Sequence, residues 1–210
     1  MPSSPARHFP ALLRSVTVGA AVFAFGGAAL AQATPTRVRG TIERVDGPNL
    51  IVKAREGGDV TLKLPDPPRI SFVVRKTLAD ITTGSFIGTA AMPLPDGSQQ
   101  AVAISILPEA AKASGGFHSA WDLAPESTMT NATVAETVKG VTGDMLKVTY
   151  KDGEKTILVS PETAIVGFTP AAASDLRPGV RTVVFAGKAP DGTLTANNVV
   201  IGKDGVEPPM

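Results

Sequence analysis

The chain has no cysteine, few aromatic residues and only two histidines. Without cysteine the protein can form no disulfide, and a lipid attached to an N-terminal cysteine is excluded. Aromatic residues make up only 5% of the sequence, so any hydrophobic core is expected to consist mainly of Val, Ile and Leu. After residue 31 there is no run of 18 or more apolar residues, so no membrane-spanning helix is expected in that part of the chain.

The N-terminal 31 residues have the three parts of a secretory signal peptide. Arg7 and Arg14 provide a positive start, and the stretch 16–29 is uncharged and apolar. Ala29-Leu30-Ala31 supplies the small residues that signal peptidase requires, which predicts cleavage before Gln32, with a second possibility two residues later. A retained membrane anchor is the alternative, but 14 apolar residues are too few to cross a bilayer, which needs about 20. We therefore expect a periplasmic or secreted protein.

The residues that follow the predicted signal peptide are almost electrically neutral. Residues 1–31 contain two of the 20 basic residues and none of the 19 acidic ones, which leaves a net charge of −1 for residues 32–210. A nearly neutral protein exerts little long-range attraction on nucleic acid or anionic lipid. Neither is expected as a partner.

An internal duplication relates the two halves of residues 37–202. Short alternating segments recur at an offset of 95 or 96 residues, and turn residues recur with them. Repeated glycine and aspartate at a fixed spacing are harder to explain by chance than a shared alternation of valine and threonine. The pairs that carry the repeat include Asp80/Asp175, Gly84/Gly179, Asp96/Asp191, Gly97/Gly192, Ala101/Ala196 and Ile106/Ile201.

Each copy reads as three short strands, a connection and two further strands, which predicts an all-β protein with little helix. In the second copy the connection, Pro170–Leu176, reads as a short helical turn. This order matches the five-stranded oligonucleotide/oligosaccharide-binding (OB) barrel, so we expect two tandem OB-like barrels. Closure would protect strands of five or six residues, which bury little surface in an open sheet. The predicted strands are Val38–Val45, Leu50–Ala54, Asp59–Leu64, Ser85–Ala91 and Ala101–Ile106, then Thr137–Val141, Leu146–Tyr150, Lys155–Ser160, Arg181–Ala186 and Leu194–Ile201.

The predicted domain organisation follows from these elements. It consists of a signal peptide (1–31), a first OB-like domain (37–108), a connecting segment (109–135), a second OB-like domain (136–202) and a tail (203–210).

The connecting segment 109–135 contains the candidate ligand-binding residues Phe117, His118, Trp121 and Asp122. It holds the only tryptophan of the chain and the only histidine outside the signal peptide. In a structural interpretation, the two aromatic rings pack on or between the barrels and Asp122 binds backbone amides at a turn. In a functional interpretation, these residues form a ligand site at the barrel interface.

Two chemical alternatives involve the same segment. His118 and Asp122, with Glu126 or Met129, could hold Zn²⁺ or copper, although one histidine is fewer than most such sites use. A hydrolase would need His118 beside one of the serines 114, 119 or 127, and no Gly-x-Ser-x-Gly motif frames any of them. Neither alternative is favoured, so no catalytic residue, metal ligand or cofactor is predicted.

Two stretches carry a resemblance to known families. Val180–Gly187 followed by Asp191–Val199 resembles secreted bacterial β-domains of unknown function that occur in tandem and look related to OB-like barrels. Gly116–Leu123 with Ser127–Thr133 resembles a segment of uncharacterised exported proteins of Gram-negative bacteria, some of which carry a label as metal transporter permeases. A permease needs several membrane spans, which residues 32–210 lack. The resemblance covers residues 37–202 and implies a periplasmic location without an established activity or ligand.

The sequence therefore predicts an exported, non-enzymatic binding or scaffolding protein. Its partner would be an extended peptide, a glycan or an envelope protein held near Trp121.

Overall fold

The structure, a computed structural model, describes residues 34–140 and 143–209. The predicted signal peptide and Val141, the end of one predicted strand, lie outside these ranges. No helix among the described residues has the length and apolarity that a membrane crossing needs. The strands are β1 (Thr34–Asp46), β2 (Asn49–Ala54), β3 (Asp59–Lys63), β4 (Ile70–Arg75), β5 (Phe86–Pro93), β6 (Gln99–Ile106), β7 (Phe117–Ala120), β8 (Thr128–Val138), β9 (Asp144–Tyr150), β10 (Gly153–Val159), β11 (Ala164–Pro170), β12 (Arg181–Lys188) and β13 (Leu194–Ile201).

The all-β prediction is confirmed, with three short 3₁₀ helices at Leu78–Asp80, Glu109–Ser114 and Ala173–Asp175 as the described helical elements. Strands β4, β7 and β11 were not predicted. Strand β8 begins at Thr128, nine residues before the predicted start at Thr137. These residues were not predicted to form a strand because the threonines and Asn131 resemble a polar linker. This part of β8 lies between β5 and β7; its alternating pattern buries Thr130, Ala132 and Val134 on one face, and Met129 is buried on the other.

The two tandem barrels are not confirmed, because all thirteen strands belong to one sheet. Within that sheet the pairings form two closed rings of five strands. The first ring runs β1–β2–β3–β13–β12 and returns to β1. The second runs β8–β9–β10–β6–β5 and returns to β8. Strands β4 and β11 pair with each other and join the rings through β13 and β6.

Each ring combines strands from both copies of the repeat. The first three strands of the first copy pair with the last two strands of the second copy, and the reverse holds in the other ring. The last hairpin of each copy, β5–β6 or β12–β13, is therefore exchanged with the other copy. The first ring therefore joins residues 34–63 with residues 181–201, whereas the second ring is formed within residues 86–159.

The strand registers repeat at the predicted offset. Val199 pairs with Ile70, and Ile104 pairs with Ile165, each 95 residues from its counterpart. On the junction strands Val73 faces Phe168, also 95 residues apart, which marks the local two-fold centre of the arrangement. The backbone amides of Gly84 and Gly179 make equivalent hydrogen bonds of 2.8 Å, to Val134 and Ile42, and both glycines have positive φ.

The interior of each ring is aliphatic. The fully buried residues of the first ring include Ile42, Leu50 and Leu62, and those of the second include Ile87, Leu146 and Ile157. A third, smaller cluster at the junction centres on Val73, Val166 and Val200, with phenylalanines packed against it. The scarce aromatic residues therefore lie mainly outside the two ring cores.

Candidate functional site

A cleft of about 820 Å³ opens where the two rings and the junction strands meet. Its volume falls in the range of small-molecule and peptide sites, roughly 300–1,000 Å³. Its walls come from β1, β4, β5, β6, β8, β11, β12 and β13, from the segment between β6 and β8, and from the tail after β13. The residues that line it include Arg37, Arg69, Phe117, Trp121, Met129, Asn131, Phe168, Phe185, Asn198, Pro208 and Pro209.

Aromatic side chains are concentrated in this cleft. Four of the seven aromatic residues in the described part of the chain line it, namely Phe117, Trp121, Phe168 and Phe185. Phe117 is 40% exposed, which makes it one of the large hydrophobic side chains most accessible to solvent. Aromatic residues contribute most to stability when they are buried. Their placement around an open cleft instead of inside the rings is typical of a binding surface.

The segment between β6 and β8 positions Trp121 at the cleft. Strand β7 pairs with β8 as an added outer strand, and Trp121 follows directly after it. The loop that returns to β8 is held by Ser127, which is 1% exposed and whose hydroxyl lies 2.7 Å from the Ala124 carbonyl oxygen and 3.0 Å from that of Trp121. The Trp121 amide in turn donates to the Ser127 carbonyl at 2.7 Å. The loop is thus fixed by its own hydrogen bonds.

Two arginines of β1 attach this loop to the first ring. The Asp122 carboxylate accepts hydrogen bonds from Arg37 Nε at 2.9 Å and from Arg39 Nη2 at 2.7 Å. The Arg37 guanidinium also stacks on the Trp121 ring, 3.8 Å from its centroid, in a cation–π contact. Asp122 therefore binds arginine side chains where a turn-capping role with backbone amides was expected. The indole Nε1 of Trp121 is buried and has no hydrogen-bond partner among the described residues.

Asp122 is expected to make stability depend on pH in acid. Burial raises the pKa of Asp122, but hydrogen bonds from Arg39 and Arg37, together with their charges, outweigh it and lower the pKa from 3.8 to about 2. A depressed folded-state pKa contributes stability above the unfolded value, and that contribution is lost as pH falls from about 4 to about 2. The free energy of unfolding, measured with urea at several pH values in this range, should depend less steeply on pH in Asp122→Asn than in the parent protein. The difference in slope should correspond to at most about one proton. Equal slopes in both proteins would contradict this linkage.

The structure separates the four predicted ligand-binding residues. Phe117 and Trp121 line the cleft, and Asp122 lies beside it in the arginine contacts. His118 points away, with its Nδ1 2.8 Å from the Thr130 hydroxyl and its ring 6.1 Å from that of Tyr150. Burial, followed by the nearby charge of Lys155, lowers the pKa of His118 from its ordinary value. A ligand-binding role for the set stays a prediction.

In the hydrogen bonds described for their side chains, His118 and the three serines considered for a metal site or a hydrolase site contact only nearby parts of the chain. Among residues 34–140 and 143–209, no group of three or more His, Asp or Glu is placed to hold a metal ion. The hydroxyls of Ser114, Ser119 and Ser127 donate to backbone carbonyls one to six residues away, and the described polar partner of His118 is Thr130.

Sequence reasoning missed several residues of the cleft, although a signal for them exists. Phe168, Phe185 and Asn198 occupy positions where the other copy of the repeat has Val73, Ala90 and Ala103. The cleft is therefore built where the two copies differ. Arg37 and Arg39 are two residues apart on one strand, which places both side chains on one face.

The comparisons with known proteins are negative: no protein-family model, no curated protein and no solved structure matches this chain.

Proposed function

We propose that this protein is an exported, non-enzymatic binding protein whose site is the aromatic cleft around Trp121. The observation that carries the proposal is the enrichment of a scarce residue class in one open cleft. Aromatic anchors supply most of the binding energy at protein interfaces and small-molecule sites, whereas the ring cores here are aliphatic. Export is proposed from the predicted signal peptide and places the partner in the periplasm or outside the cell.

Each five-strand ring is, in this proposal, an OB-like barrel with an exchanged last hairpin. The spatial order within a ring is first, second, third, fifth and fourth strand, with the third and fifth parallel, and this supports the assignment. OB-like barrels of this kind serve as rigid frames that present loops and strand faces to a ligand. The added strand β7 and the Trp121 loop would then provide the specific part of the site.

The proposal is tested with an apolar fluorescent probe and the natural tryptophan. Trp121 is the only tryptophan of the chain, so its emission reports directly on the cleft. We expect the anionic dye 1-anilinonaphthalene-8-sulfonate to bind with about one molecule per chain and to quench Trp121 by energy transfer. Phe117→Ala should weaken this binding about tenfold, which corresponds to about 1.4 kcal/mol.

Val102→Ala is the matched control. Val102 is 41% exposed, almost the same as Phe117, and lies on β6 outside the cleft lining. The Val102→Ala variant should bind the dye as the parent protein does. Trp121→Ala should abolish dye capture, measured by the fluorescence of the dye itself because this variant has no tryptophan. Equal dye binding by Phe117→Ala, Val102→Ala and the parent protein would contradict the proposal.

A further inference from the structure

Residues 208 and 209, the last that the structure describes, return to the same cleft. After β13 a tight turn brings Lys203 and Val206 together, with backbone hydrogen bonds of 3.1 and 2.9 Å between them. Glu207 then forms an ion pair with Arg181, 3.4 Å between Oε1 and Nε. Pro208 and Pro209 lie among the residues that line the cleft. The sequence of this tail is an acidic residue followed by two prolines.

We infer that the cleft takes an extended, acidic, proline-containing peptide segment, and that Pro208 and Pro209 occupy part of this site as an internal competitor. The inference rests on the proposed function and adds to it the class of ligand and a means of regulation. It does not depend on which protein supplies the segment.

The chemistry of the lining favours such a peptide. Proline-rich segments adopt the polyproline II conformation and dock into grooves lined by aromatic side chains, because the stiff segment loses little entropy on binding. Carbonyl groups of that conformation have no internal hydrogen bonds. They remain free to accept hydrogen bonds from donors in the cleft lining. Asn131 and Asn198 offer further amide groups within the lining.

The charge of the lining favours an acidic ligand. Arg37 and Arg69 line the cleft, and no aspartate or glutamate does so among the described residues. Arg37 is already engaged by Asp122, whereas Arg69 is exposed and has no ion-pair partner in the described part of the chain. A glycan site would be expected to present carboxylate acceptors for hydroxyl groups, so the lining fits an acidic peptide better.

Binding to a copy of the tail tests the inference. The probe is a blocked hexapeptide with the sequence of residues 205–210, titrated into the full-length protein and into a variant that ends at Glu207. Trp121 emission is the readout. If the tail fills the cleft about nine-tenths of the time, its removal raises peptide affinity about tenfold, because apparent affinity scales with the competent fraction.

Two altered peptides, one arginine variant of the protein and one control variant define the specificity. Replacing both prolines of the peptide by alanine should reduce binding at least fivefold, and replacing its glutamate by glutamine should reduce it less. The double variant Arg69→Gln/Arg181→Gln should remove the difference between the glutamate and glutamine peptides, because Glu207 pairs with Arg181 in the structure and Arg69 is an arginine of the cleft lining. Pro190→Ala, a proline in the exposed β12–β13 turn, should bind the peptide as the parent does.

The outcomes separate this inference from the proposed function. If the dye binds in a Phe117-dependent way but the shortened protein does not distinguish the proline peptide from its alanine version, the cleft is a site for another ligand class and the inference is wrong. If proline and alanine peptides differ but tail removal has no effect on affinity, the competitor role is wrong. If neither dye nor peptide changes Trp121 emission, the proposed function fails as well.

Discussion

Leu146→Ala is expected to destabilise the whole molecule by about 2–5 kcal/mol and to leave a single unfolding transition. Leu146 is fully buried in the second ring, and Leu50 is its fully buried counterpart in the first. Removing three side-chain carbons from either core creates a cavity that the surrounding strands fill only in part. Leu50→Ala should therefore lower the same transition by a similar amount.

The single transition is the expected consequence of the junction strands. The two rings share no strand, but β4 pairs with β13 of the first ring, β11 pairs with β6 of the second, and β4 and β11 pair with each other, so unfolding of either ring removes partners from the junction that supports the other. Scanning calorimetry and urea unfolding should both show coincident loss of structure. Val45→Ala, at a side chain that is 41% exposed, should change stability by less than about 0.5 kcal/mol. Two separate transitions, each lowered by only one of the leucine variants, would show that the halves fold independently.

Gly116→Ala is expected to cost about 3 kcal/mol and to weaken binding in the cleft without altering any cleft side chain. Gly116 has φ of +74°, and an added Cβ would lie 2.3 Å from the Asn131 carbonyl oxygen and 3.0 Å from Tyr150 Cβ. A non-glycine residue in this conformation loses about 1–2 kcal/mol. The contact with the β8 backbone adds about 1–3 kcal/mol and must push β7 away from β8. Phe117, the residue after Gly116 and the first of β7, would move with the strand.

Gly115→Ala separates the two contributions. Gly115 has the same φ of +74°, but its added Cβ would be 3.7 Å from Lys151 Cβ, an ordinary contact. This variant should lose only about 1–2 kcal/mol and keep dye binding at the parental level. Urea unfolding and dye titration of the two variants give the comparison. Equal losses in both would mean that the close approach of β7 to β8 does not restrict position 116.

Much of the fold could be predicted from local sequence. Alternating Val, Ile and Leu identified most strands of the two rings, and repeated turn residues such as Gly84 and Gly179 identified the duplication. Strands β4 and β11 were missed, although Ile70–Arg75 and Ala164–Pro170 are rich in strand-forming residues. Their role is to pair with each other across the centre, and no local pattern signals a pairing of that kind.

The site was predictable in part for a different reason. Trp121 and Phe117 stood out because aromatic residues are rare in this chain, and both line the cleft. Phe168 and Phe185 did not stand out, because each lies in an alternating strand where a large apolar residue normally faces a core. His118 stood out by rarity as well, yet it faces Thr130 and Tyr150 on the other side of β7.

By itself the sequence determined the all-β class, the repeat and the unusual segment between its copies, because alternation, turn residues and composition are properties of neighbouring positions. Only the tertiary structure decided which strands close each ring, and it exchanged the hairpins of the two copies. Both copies present nearly the same strand edges and apolar faces, so a hairpin can pair equally well with either copy. The same exchange brings residues far apart in the chain, such as Arg37, Trp121 and Pro208, to one cleft.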